Sequence, residues 1–288
     1  MDDWQKAGKI AAEAREYAKE ICRIGKTYTY VADKVEEFII KKGAFPAFPM
    51  DISVNSIAAH YCPYINDENV LEKGDLVKLD IGAHVNGAVA DNACTVEIGT
   101  DEHKELILAS KDACDAGCEK AIPGAMIKNI GKVIDETIRS HGFVPITNLS
   151  GHGLDRWIVH DAPTIPNYDN GNEMKLEEGQ HIAIEPFATD GIGSVKEGKP
   201  CGVYAFLEKK PVRLDSARKL MSQIEKDYKT LPFTERWLKD VKNIKFLLKL
   251  LEQAEVVKQY TVLPEKNGGM VSQYENTVCV GKGVTTKI

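Results

Sequence analysis

Three observations predict an α+β fold. Residues 77–96, VKLDIGAHVNGAVADNACTV, read as one tight β-hairpin, and the stretches on either side of it carry apolar residues at helical spacing. A charged, helical texture from about residue 202 to 258 then separates two short apolar runs of strand character.

The hairpin is the firmest element. Asn86-Gly87 is a preferred dipeptide of a two-residue turn, and Val77, Leu79 and Ile81 alternate with Lys78 and Asp80. A turn there pairs Val85 with Ala88 and sets Asp80 opposite Ala93, so Asp91 shares a face with Asp80. Diagonal neighbours of this kind lie roughly 7 Å apart. Two such carboxylates repel, and a pair of divalent cations about 3.5–4 Å apart would fit between them. The plainer alternative is two surface aspartates on a solvated hairpin.

Before the hairpin, helices are expected over Trp4–Ile24, ended by Gly25, and over Tyr30–Lys41, ended by Gly43. The stretch Ala44 to Pro63 is proline-broken, then extended, and contains His60. After the hairpin, Asp101 is placed to cap a helix over Glu102–Lys120, and Pro123-Gly124 separates it from another over Ala125–Ser140. Asn148 to Tyr168 reads as shaped loops carrying His152 and His160, each of which alone suits a structural donor as well as a ligand. Strands are expected over Gln180–Phe187, with Glu185 held extended by Pro186, and over Val271–Val280, which contains Glu275. Between them, helices over Ser216–Lys229 and Asn243–Gln259 would form an inserted helical subdomain at about 202–258. The second would present Phe246, Leu247, Leu250, Leu251 and Ala254 as its apolar stripe.

A net charge of −6 and a pI near 5.7 argue against a broad basic nucleic-acid surface. Seven cysteines with no CxxC pair read as reduced thiols, and Cys114 with Cys118 as helix packing. The start, MDDWQKAGK, lacks the apolar core of a secretory signal, and no apolar run reaches the ~20 residues of a membrane span, so a cytoplasmic protein is expected.

Asp80, Asp91, His152, Glu185 and Glu275 together make four carboxylates and one imidazole. This hard set, without thiolate, suits Mn, Co, Fe(II) or Zn, and a water between two such ions would be acidified. The segments SIAAHYCP, KLDIGAHVNGAVADNA, SGHGLDRWIVHDAPTIPN, IAIEPFATDGIG and SQYENTV, in this order and spacing, resemble methionine aminopeptidase of type II in its archaeal form, over nearly the whole chain. That resemblance implies a pita-bread fold: one catalytic domain over 1–288, mainly antiparallel sheet with outer helices, carrying the insertion. It implies two divalent ions, of identity left open, held by Asp80, Asp91, His152, Glu185 and Glu275, with Asp91 and Glu275 bridging and Glu185 also moving the proton of the attacking water. His60 and His160 would face the substrate, and Phe48, Phe187 and Tyr260 would line a methionine pocket.

The implied activity is removal of the initiator methionine when the second residue is small, by a metal-bound hydroxide. Its partners would be N-terminal Met peptides and nascent proteins, with ribosome association allowed for, no membrane, no nucleic acid required, and a monomeric chain. Cys62 and Asn276 depart from the family, which more often has threonine and histidine there. The rival readings are an Xaa-Pro aminopeptidase of the same fold and a non-catalytic relative that binds RNA or the ribosome.

Overall fold

A computed structural model describes residues 1–288. Helix α1 (Asp3–Ile21) begins at a capping box in which the Asp2 carboxylate accepts the Gln5 N–H and the Gln5 side chain accepts the Asp2 N–H. Helix α2 (Tyr28–Lys41) starts on the Thr27 hydroxyl. The strands that follow include β1 (Asp51–Val54), β2 (Leu76–Val85) and β3 (Ala88–Glu97). Helix α3 (Lys104–Lys120) starts later than expected and is not capped by Asp101. The Glu97 carboxylate instead accepts the N–H groups of Glu102 and His103, since an acid at the end of the hairpin already faces the helix start. Helix α4 (Ile127–Ser140) ends the first helical run.

The second half holds β4 (Ser150–Asp155), β5 (Ile158–Pro166), β6 (His181–Ile184), β7 (Phe187–Thr189), β8 (Pro200–Phe206), helices α5 (Asp215–Asp227) and α6 (Ile244–Gln253), and then β9 (Val257–Thr261), β10 (Val271–Gln273) and β11 (Asn276–Cys279). The strand pairings are antiparallel. β2 runs between β1 and β3, while β11, β6, β4 and β5 lie side by side in that order. The helices cover the outside, as expected. α1 and α2 bury Ile10, Val31, Val35 and Ile39 with Leu79 and Ile81 of the hairpin, and α3 and α4 bury Leu106, Ile130 and Ile134 with Ile182 and Ile184.

Residues 200–261 are less helical than their texture suggested. β8 pairs with β9 and with the short strand Phe233–Thr234, and α5 and α6 pack there around Leu220, Ile224, Leu248 and Leu251. α6 stops at Gln253 because the chain turns into β9. Phe246, expected in the apolar stripe, is 57% exposed. Ile244, Leu247, Leu248 and Leu251 occupy the inward i, i+3, i+4, i+7 positions, which leaves Phe246 on the other side of the helix.

Candidate metal centre

The hairpin takes the register that its turn dictates: Val85 faces Ala88, Asp80 faces Ala93 and Gly82 faces Asp91. Ala93 also exchanges both backbone hydrogen bonds with Glu275, at 3.0 and 3.3 Å, so Asp80, Ala93 and Glu275 form one row, with Glu275 in the gap between β10 and β11. Beside that row, Thr277 exchanges hydrogen bonds with the Asp91 backbone and Thr95 with the Gln273 backbone, all at 2.8 Å. The residue at 82 is glycine because a Cβ there would come within 2.2 Å of the Phe48 ring.

The strands expected over 180–187 and 271–280 are both interrupted at the residues that matter. β6 pairs with β11 and β7 with β10, so the gap at Glu185-Pro186 lies beside the gap at Tyr274-Glu275. Pro186 has no N–H to continue the ladder, and its carbonyl only just accepts the Tyr274 N–H, at 3.4 Å. Both glutamates line the same cavity.

Residues 148–168 form a strand pair, β4 and β5, rather than loops. The glycines that suggested loops are required by close strand approach: a Cβ on Gly151 would lie 2.2 Å from the Ala183 carbonyl oxygen, and one on Gly153 would lie 2.0 Å from that of Ala162. His152, between them, turns Nδ1 to the Gly153 carbonyl at 3.1 Å. This leaves Nε2 facing Glu185 Oε1 at 3.5 Å and Asp91 Oδ2 at 3.9 Å.

Asp91, His152 and Glu275 each present a ligand atom within 4.8 Å of the other two. Asp80 and Glu185 border this triad, and all five line one cavity of about 210 Å³ with Phe48, His60, His160, Phe187 and Tyr260. The His160 ring stands edge-on to His152 at 4.4 Å, and His60 stands edge-on to Tyr260 at 5.7 Å. His60 holds a left-handed backbone, φ +67°, a conformation a non-glycine residue keeps only where its surroundings impose it.

Two contributors carry no obvious signal in sequence. Gln273 donates its side-chain N–H to Asp80 at 3.0 Å and faces Glu185 and Glu275 at 3.5 Å, tying three acids together. Its position two residues before Glu275 was the available clue. Asp51, opposite Asp80 in β1, adds a fifth carboxylate to the cavity wall.

The electrostatics are unbalanced. Burial first, then repulsion from Asp80 and the other acids, raises Asp91, and Glu185 and Glu275 rise for the same two reasons. Burial pushes Asp80 up to about 6. Burial, then the neighbouring His160, pushes His152 down to about 3 and His60 to about 4, so both imidazoles are neutral. No side-chain cation neutralises the acids: the Arg15 guanidinium bonds to the Glu275 carbonyl and the Asn276 amide oxygen instead. Asp80 Oδ1, Asp91 Oδ1 and Glu275 Oε1 are buried without any hydrogen-bond partner. Unpaired carboxylate oxygens around a neutral imidazole nitrogen are a donor set that fits a divalent cation.

The profile of metallopeptidase family M24 matches residues 2–231. The chain belongs to metallopeptidase family M24. It is 45% identical to the methionine aminopeptidase of Archaeoglobus fulgidus over 284 residues, which cover 98% of this chain and 96% of that protein. The family member described here is thus a metallo-aminopeptidase of the methionine aminopeptidase group, as the five sequence motifs implied. The crystal structure of the Thermotoga maritima methionine aminopeptidase superposes with a TM-score of 0.73 at 25% identity, covering 99% of this chain and 96% of that one. A thermophilic Arx1 shares the fold at a TM-score of 0.84 and 16% identity, covering 96% and 87%.

Cys62 and Asn276, expected as departures from the family, lie off the cavity wall. Cys62 packs near the Thr234 hydroxyl and Arg236, and Asn276 accepts from Arg15 and Thr286.

Proposed function

We propose that this chain removes the N-terminal methionine of new polypeptides when the second residue is small, using two divalent cations held by Asp80, Asp91, His152, Glu185 and Glu275. The observation that carries this reading is the set of buried, unpaired carboxylate oxygens around the free nitrogen of His152. When bound, such cations supply Lewis acidity, lowering the pKa of water and polarising a peptide carbonyl. In this reading Asp91 and Glu275 would each serve both ions. Glu185, at the cavity face of its strand break, takes the proton from the attacking water and passes it to the leaving amine. His60 and His160, uncharged, donate hydrogen bonds to the peptide and to the oxygen that becomes negative. Phe48, Phe187 and Tyr260 flank a thioether, which packs well against aromatic rings.

We also infer one catalytic domain carrying the 202–258 insertion, acting as a cytoplasmic monomer that meets nascent chains near the ribosome. No helix is long and apolar enough to cross a membrane. Comparing Met-Ala-X with Xaa-Pro peptides tests the activity: release of methionine alone is expected, and cleavage of Xaa-Pro peptides only would overturn it in favour of a prolidase-like enzyme.

A further inference from the structure

We propose that Lys258 is a specificity-determining residue, whose ammonium group favours an acidic side chain at the third or fourth position of the substrate. This rests on the reading that the metal cavity receives the first residue of a peptide.

The metal cavity has an outward continuation. A groove of about 230 Å³ shares Val159, His160, Pro232 and Tyr260 with it and adds, among others, Ile158, Leu207 and Lys258. Ile158 and Leu207 are 39% and 50% exposed, so the far part of the groove is open to solvent. Lys258 and Tyr260 stand two residues apart in β9 and share one face, which places the lysine next outward from the ring at the cavity rim. Its ammonium lies 4.6 Å from the centre of that ring. Lys258 is exposed and has no ion-pair partner, and no carboxylate lines the groove. In a chain of net charge −6, this is a cation left free beside the catalytic cavity.

A peptide held by its first residue needs a way out for the rest of its chain. A second groove carries Asp33, Glu36, Glu37 and Asp227 against Arg236 and Lys239, but it meets the metal cavity only at Pro232. The groove of Lys258 meets it at four residues, His160 among them, and is therefore the better continued path. Two strand positions span about 7 Å, and an extended peptide covers the same distance in two residues. A chain whose second residue passes Tyr260 thus brings its third and fourth side chains to Lys258. There a carboxylate is attracted and an ammonium repelled, at a site exposed enough for salt to screen both effects.

The test measures kcat and KM for Met-Ala-Glu-Glu-Ala, Met-Ala-Gln-Gln-Ala and Met-Ala-Lys-Lys-Ala with the wild-type protein, Lys258→Gln and Lys258→Glu, alongside bound metal. In the wild type, kcat/KM is expected to be about fivefold higher for the Glu-Glu peptide than for the Lys-Lys peptide, with the difference carried by KM. Raising the salt to about 1 M should bring that ratio towards one. Lys258→Gln should also bring it towards one, and Lys258→Glu should reverse it, with bound metal unchanged in both. The same ratio in wild type and Lys258→Glu would overturn the inference. So would a wild-type preference for the Lys-Lys peptide, which would send the chain along the acid-rich groove. A wild-type protein that releases methionine from none of the three peptides would instead remove the proposed function on which it rests.

Discussion

Two groups of buried acids in this molecule have nearly the same burial and opposite chemistry. Glu36, 5% exposed on α2, receives two N–H groups of Arg236 at 2.7 and 3.1 Å, the Trp237 indole N–H at 2.8 Å and the Met50 N–H at 3.2 Å. Arg236, which also bonds to Asp33, has its pKa raised. Burial alone would lower it, but Glu36, Cys62 and Asp33 together outweigh that effect. Asp91 and Glu275, 3% and 1% exposed, have no such partner and keep an unpaired oxygen each. The first group is closed by a cation from the chain and fastens residues 235–238 to α2. The second is left open, and its unrelieved repulsion is the mark of a site completed from outside.

This contrast can be broken most sharply at Asp91. Asp91→Asn is expected to abolish metal-dependent turnover, and the metal-free variant to melt at a higher temperature than metal-free wild type, because one repelling charge is gone. Unchanged kcat would refute its assignment. Arg236→Ala should behave in the opposite way, costing about 3–5 kcal/mol of stability by stranding a buried carboxylate, while the variant that remains folded still binds metal. Chemical denaturation with metal analysis reads both. His160→Ala is expected to lower kcat by about 10²-fold with metal content intact.

Smaller again, Gln273→Leu should weaken metal binding by about 10–100-fold, as loss of an outer hydrogen bond does. A calorimetric titration would show it. The least effect is a pH slope. Asp80 is raised from its usual 3.8 to about 6 in the folded, metal-free protein, so its stabilising contribution is full below about pH 4 and lost as pH rises through 6. Saturating divalent cation should remove that decline, which thermal melts across pH 4–8 would follow.

Much of this was legible in sequence where local rules decide the outcome. The Asn86-Gly87 turn and the period-two flanks set the register that brings Asp80 and Asp91 to one face, and the structure keeps it. The helices failed at their ends, as at α3, where Glu97 rather than Asp101 meets the first N–H groups, and in the face of α6, where Phe246 is exposed. What stayed hidden depends on contacts between distant strands. Gly151 and Gly153 read as loop formers because nothing local reveals that the carbonyls of Ala183 and Ala162 press on them. The paired breaks at Glu185 and Glu275 need both strands to be seen together. Gln273 and Asp51 escaped because an uncharged amide and an acid after Pro49-Met50 carry no pattern until β1, β2 and β10 are assembled.

The most direct test follows metal and chemistry in one titration. Chelated protein receives Mn(II) or Co(II) stepwise while bound ions per chain and methionine release from Met-Ala-X are both recorded. Activity is expected to be absent at the start, to rise with occupancy and to level off at about two ions per chain. Full methionine release by the metal-free protein would contradict the account, as would metal uptake by Asp91→Asn equal to that of wild type.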